Sequence, residues 1–164
     1  MNRRQSLLGL IGLGAGLGLL SKPVWAWSTL TKSPAEWKKL LPASSYAVLF
    51  EEDTERPFTS ALNNEKRLGT FVCAACYLPL FKSDTKFNSG TGWPSFFDVI
   101  PGATAKKTDM KLFVPRNEYH CARCGGHQGH VFEDGPKPTG LRYCNNGVAL
   151  KFVASDEKLP ELRS

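Results

Sequence analysis

No stretch of this 164-residue chain is apolar for the length that a membrane-spanning helix requires. The longest such run, Leu7 to Leu20, is broken by Gly9, Gly12, Gly14, Gly16 and Gly18. It falls short of the ~20 residues that cross a bilayer, which argues against a permanent anchor. Blocks of Lys and Arg are also missing. The 21 basic and 15 acidic side chains give a formal charge of +6. Three of those basic groups (Arg3, Arg4 and Lys22) lie in the first 26 residues, which hold no acidic residue. What remains forms no concentrated basic stripe, so a nucleic-acid binder is excluded. There is no internal repeat, which rules out a solenoid. The length, with 41% hydrophobic residues, supports one modest domain and not two.

Residues 1–26 are read as an export signal. Arg3-Arg4 form its charged start, the glycine-interrupted run its apolar middle, and Val24-Trp25-Ala26 a small-residue cleavage pattern. The paired arginines and mildly hydrophobic run suit a twin-arginine signal. Ser6 stands where a large apolar residue is usual, so general secretion fits as well. The expected location is periplasmic or otherwise extracytoplasmic, with no stable membrane anchor after cleavage. Residues 27–45 read as a linker and short helix, 46–154 as the functional domain, and 155–164 as a charged, frayed tail.

Ser33-Pro34-Ala35-Glu36 opens the short helix with a Ser cap, Pro in the first turn and Glu three places on. Pro42 ends it, and a second helix is predicted over about Ser44 to Phe50. Beyond Glu51 the chain becomes turn-like. Short apolar runs then recur between Gly, Pro, Asn and Asp, such as Thr70-Phe71-Val72, Lys111-Leu112-Phe113-Val114 and Ala149 to Val153. Runs of that length predict strands. The fold is expected to be mainly β with small helices at the front.

Four of the five cysteines form two C-x-x-C pairs, Cys73/Cys76 and Cys121/Cys124. A tight turn at this spacing aims both sulfurs at one point, and two such turns complete a tetrahedral thiolate shell for zinc. The gap between the pairs places each turn on a different hairpin. Gly125 supplies the positive φ that such turns use, whereas Tyr77 at the equivalent place implies strain or another turn. A redox-active dithiol, two structural disulfides or plain buried thiols are the competing readings. A zinc held by four thiolates is structural, because no coordination position stays open.

The odd cysteine, Cys144, lies two residues beyond Arg142, which shares its strand face and favours a thiolate there. Upstream, His127 and His130 sit close enough in sequence to converge on one site, and imidazoles can protonate an oxygen that gains charge during thiolate attack. The plainer reading, a small buried cysteine with surface histidines, stands equally at this point. Gly90-Thr91-Gly92-Trp93-Pro94 fixes a turn that presents a rigid indole. It serves either as a packed loop anchor or as a wall for a small apolar group such as a methyl.

Together these segments resemble the methionine-R-sulfoxide reductase family, type B. The resemblance runs from Tyr46 to about Phe152. It rests on Thr54-Glu55-Arg56-Pro57-Phe58-Thr59, both C-x-x-C pairs and Ser89 to Phe96. It continues through His127-Gln128-Gly129-His130-Val131-Phe132 and Asp134-Gly135-Pro136 to Arg142-Tyr143-Cys144. It implies a tent-like fold of two antiparallel sheets packed at an angle, with short N-terminal helices. One structural zinc on Cys73, Cys76, Cys121 and Cys124 would lie away from the active site. The implied reaction is attack of Cys144 on the sulfur of an R-configured methionine sulfoxide, giving methionine and a Cys144 sulfenic acid. By the same resemblance Trp93 and Phe96 contact the substrate, and His130 and His127 hold or protonate its oxygen. Asn146 and Arg142 support the site, and Asp134 orients a histidine or the arginine. The R preference comes with the resemblance and not with any spacing. The implied partners are oxidised proteins and a thioredoxin-like thiol reductant, and the implied state is a monomer. The alternative is a non-catalytic exported zinc-binding interaction module.

Thr91 occupies the place where many relatives carry a resolving cysteine. With the paired cysteines on zinc no thiol is spare, so an external thiol is expected to reduce the sulfenic acid directly. Gln128 and Asn145 each stand where an apolar residue is common, which makes the back of the site more polar.

Overall fold

A computed structural model describes residues 27–109 and 116–164. The export segment and the run Lys111-Leu112-Phe113-Val114 lie outside the described residues. Helix α1 (Pro34–Leu40) starts with the expected reciprocal cap: Ser33 Oγ accepts from the Glu36 N–H at 3.3 Å, and Glu36 Oε2 accepts from the Ser33 N–H at 2.8 Å. Pro42 ends it and introduces α2 (Ala43–Glu51). The helices meet through Trp37, which is buried and stacked on Phe50 at 4.9 Å. No helix among the described residues is long and apolar enough to cross a membrane.

The rest is β structure, in strands β1 (Gly69–Cys73), β2 (Pro79–Lys82), β3 (Lys86–Phe87), β4 (Ser95–Phe96), β5 (Thr104–Asp109), β6 (Arg116–Cys121), β7 (His127–Phe132), β8 (Arg142–Asn145) and β9 (Leu150–Ala154). They form two antiparallel sheets, a three-stranded one ordered β2-β1-β9 and a six-stranded one ordered β3-β4-β8-β7-β6-β5. The core is an aromatic layer to which both sheets contribute. Phe71 and Phe81 from the small sheet meet Phe96, Tyr119 and Tyr143 from the large one. Phe81 stacks flat on Phe96 at 4.1 Å, while Phe71 meets Phe96 edge-on at 4.9 Å. Tyr119 meets Tyr143 edge-on at 5.2 Å. Each enclosed ring contributes about 1.5–3 kcal/mol through burial, and each well-oriented ring pair about 0.5–1.5 kcal/mol more.

The tail, expected to fray, carries contacts at Arg163. The Arg163 N–H donates to the Cys76 carbonyl at 3.1 Å, and its guanidinium lies over the Tyr77 ring at 4.6 Å. At the other end, the Leu30 N–H donates to the Arg123 carbonyl at 2.7 Å.

Candidate active site and metal centre

Each cysteine pair does sit on its own hairpin. Cys73 and Cys76 are on the β1–β2 turn of the small sheet, and Cys121 and Cys124 on the β6–β7 turn of the large one. Gly125 adopts φ 71°, and Tyr77 is forced to φ 64° at the corresponding point. The left-handed region costs a non-glycine side chain about 1 kcal/mol or more. The four sulfurs lie within 4.8 Å of one another, with Cys73–Cys124 at 3.7 Å and Cys76–Cys121 at 3.5 Å. A tetrahedral ion at ~2.3 Å from each sulfur would set them roughly 3.8 Å apart, so the shell fits such an ion. Neighbouring sulfurs first, and burial second, push Cys73 and Cys124 well above the usual thiol range, while neighbouring sulfurs pull Cys76 down. A cation among the four sulfurs would offset the repulsion between thiolates.

The second site is an open cleft lined by Thr54, Trp93, Arg116, His130, Phe132 and Cys144, with Gly129, Asn145 and Asn146. Strand register builds it. On β8, Cys144 stands directly opposite His130 of β7 and, on its other side, opposite Ser95 of β4. Directly opposed residues share a sheet face, so the imidazole and the sulfur flank the same space. Gly129 permits this approach: a Cβ there would lie 1.9 Å from the Cys144 carbonyl oxygen.

The Cys144 thiol is half-buried, and burial raises it above the ordinary thiol range. The Arg142 charge, with hydrogen bonding from Thr91 and Arg142, opposes that rise without cancelling it. Arg142 thus acts on the expected side. It is held by Asp134 through two 2.8 Å bonds and lies over Phe132 at 4.3 Å. Of the two roles left open for Asp134, the arginine is the one observed. Thr91 Oγ1 joins a chain of hydroxyls, 2.8 Å from Ser89 Oγ, which is 2.7 Å from Ser95 Oγ.

His130 Nε2 lies 2.8 Å from Asp109 Oδ2, which also accepts from Arg116 at 2.7 Å. Burial chiefly, and the Arg116 and His127 charges, lower the His130 pKa, with the Asp109 bond acting against them. A neutral ring giving its Nε2–H to Asp109 keeps a lone pair on Nδ1. His127 sits one layer back. Its buried ring is 5.6 Å from that of His130, and its Nδ1 is 2.8 Å from Glu118 Oε1. Asn146 is buried, accepting from the Glu55 N–H at 3.0 Å and donating to the Gln128 carbonyl at 3.0 Å. The Trp93 indole N–H donates to the Glu55 carbonyl at 2.8 Å. Glu55 also accepts from the Gly147 N–H at 2.5 Å, so one residue fixes both the indole wall and the turn after Cys144.

Phe96 is the exception among the expected substrate contacts. β4 places Ser95 opposite Cys144 and turns Phe96 into the core, where it is fully enclosed on Phe81. The aromatic that shares the cleft with Trp93 is Phe132. Asp109, Arg116, Glu55 and Glu118 were not singled out from the sequence. Pairing across strands, such as Asp109 opposite Arg116, brings the first two and Glu118 to the site, while Glu55 reaches it from the loop after α2.

The SelR domain pattern matches residues 41–154. The chain is similar to the peptide methionine sulfoxide reductase MsrB of Methanosarcina barkeri, at 53% identity over 133 residues, covering 80% of this chain and 94% of that protein. It is 51% identical over 124 residues to the protein of the same name from Agrobacterium fabrum, covering 75% and 92%. The chloroplastic peptide methionine sulfoxide reductase B1 of Arabidopsis thaliana is 48% identical over 126 residues, covering 76% and 62%.

Proposed function

Because this chain belongs to the SelR-domain family of peptide methionine sulfoxide reductases, we propose that it reduces methionine-R-sulfoxide in proteins or peptides, with Cys144 as the nucleophile. One observation carries this reading: Cys144 faces His130 across β7 and β8 in an open cleft walled by Trp93 and Phe132, while the other four thiols are gathered elsewhere. The sulfoxide methyl group packs against the indole, and the sulfoxide oxygen lies toward His130. Because burial keeps the Cys144 proton on the thiol, that proton must leave as sulfur attacks sulfur. His130 Nδ1 is its acceptor, and Asp109 stabilises the imidazolium that results. The imidazolium returns the proton to the oxygen. Oxygen passes to Cys144, methionine leaves, and the products are a sulfenic acid and a thioether with no net proton gained. Thr91 offers no resolving thiol, so a thioredoxin-like partner or a small thiol completes the cycle through at most a mixed disulfide.

Zinc is the ion that the four-sulfur chemistry favours. Cys73, Cys76, Cys121 and Cys124 would hold it and leave no position for substrate, so its contribution is to staple the two sheets. Residues 1–26 carry the composition of a twin-arginine or general export signal, which supports an extracytoplasmic location. The mass of the protein recovered from an extracytoplasmic fraction tests that assignment, and an uncleaved N-terminus in the cytosol would remove it.

The decisive assay incubates reduced enzyme with each sulfoxide epimer and a dithiol. Consumption of the R epimer alone is expected. Consumption of the S epimer, or of neither, overturns the proposal, and the latter outcome would favour a metal-binding interaction module.

A further inference from the structure

Two polar residues stay outside the reaction just described. Gln128 and Asn145 are both fully enclosed. A buried amide without partners costs about 1–3 kcal/mol, so each of these needs its own hydrogen bonds. In this chain they answer each other. Asn145 Nδ2 donates to the Asn146 carbonyl at 2.8 Å and reaches Gln128 Oε1 at 3.4 Å. Asn145 Oδ1 accepts from the Tyr119 hydroxyl at 2.6 Å. Gln128 Nε2 then points at Cys73 Sγ, 3.5 Å away. Chemistry fixes the orientation of this amide. Reversed, its oxygen would oppose an electron-rich sulfur and its NH2 would meet the NH2 of Asn145.

We propose that Gln128 is an outer-sphere N–H donor to the metal-ligating sulfur of Cys73 and, through Asn145, ties the metal centre to the strand of the nucleophile. The inference rests on the metal reading above. An N–H directed at a thiolate withdraws electron density from sulfur, making it a poorer base toward protons and a poorer nucleophile toward oxidants. The metal is held more firmly as a result, and outer-sphere partners of this kind typically change metal affinity about 10–100-fold. Alternation along β8 turns Cys144 to the cleft and its neighbour Asn145 to the opposite face. The tie therefore reaches the strand of Cys144 from the face opposite its sulfur.

The test begins with the native protein carrying ¹¹³Cd in place of zinc. A scalar coupling between the bound cadmium and a Gln128 side-chain amide proton, transmitted through Cys73 Sγ, is the expected result. A bound cadmium resonance without that coupling overturns the inference alone. Failure to bind cadmium or zinc at all removes the metal reading, and the inference with it. Gln128→Met keeps the length and volume of the side chain but not the donor. It leaves Asn145 with Tyr119 and the Asn146 carbonyl, so the fold is retained. Zinc transfer from this variant to a competing chelator should be about tenfold faster or more, and an unchanged rate contradicts the donor role. Asn145→Ala should speed transfer in the native background and add nothing to Gln128→Met. Additive effects would break the proposed tie.

Discussion

Four of the sulfurs in this protein and the fifth differ in their surroundings more than in their chemistry. The cluster thiols sit on two turns that face each other from different sheets, each sulfur having other sulfurs as neighbours. Cys144 sits mid-strand with no sulfur partner described, beside an imidazole, a guanidinium and an indole. The first arrangement suits a cation and would close around it. The second leaves one face of the sulfur open to a cleft. Backbone geometry sorts them: tight turns concentrate ligands, whereas an extended strand spaces side chains along alternate faces and leaves room for a substrate.

Swapping oxygen for sulfur should separate the regions most sharply. Cys121→Ser breaks the thiolate shell, and structural zinc of this type is worth about 10–16 kcal/mol to folding. Loss of bound metal and of the cooperative thermal transition is expected. Cys144→Ser should keep both metal and transition while lowering turnover by about a thousandfold or more. A Cys144→Ser protein that unfolds, or a Cys121→Ser protein that retains its metal, would collapse the distinction.

Within the cleft the next effect belongs to His130, the proposed proton carrier. His130→Asn should cost about 10²–10⁴-fold in kcat/KM with metal content unchanged. Gly129→Ala sharpens the same point through the backbone. Its new methyl group would drive against the Cys144 carbonyl, and a displacement of about 1 Å can cost on the order of 10²-fold. A Gly129→Ala enzyme of native activity would show that the β7–β8 approach is not what positions the sulfur.

The smallest effect is a titration. Cys144 lies above the ordinary thiol range, while Arg142 pulls it down. Alkylation of the native enzyme should therefore rise with pH through a midpoint above that of an unperturbed thiol, because only the thiolate reacts. Arg142→Met removes a lowering influence, so its midpoint should move further up. A downward move would mean that the guanidinium does not act on the sulfur.

Much of this plan was legible in the chain because it was written in local signals. The capping box at Ser33, the stop at Pro42 and the two C-x-x-C turns each depend on residues a few positions apart. The metal shell and the pairing of Cys144 with His130 were anticipated, the former from spacing and the latter with help from the family resemblance. What stayed hidden depends on register. β4 is two residues long, too short for periodicity to tell that Ser95 opposes Cys144 and that Phe96 faces the core. Asp109 and Arg116 meet only because β5 and β6 pair at that point. Arg163 looked like part of a solvated tail because nothing local announces its partner, the ring of Tyr77. The joint meaning of Gln128 and Asn145 also appears only when β7 and β8 lie side by side.

The most direct test of the division between the sulfurs is mass spectrometry of the enzyme after one turnover without reductant. The account predicts a single sulfenic acid equivalent, trapped at Cys144, with the four cluster thiols unmodified and the metal retained. A disulfide linking Cys144 to Cys73, Cys76, Cys121 or Cys124 would contradict it, because a metal ligand would then be serving as the resolving thiol.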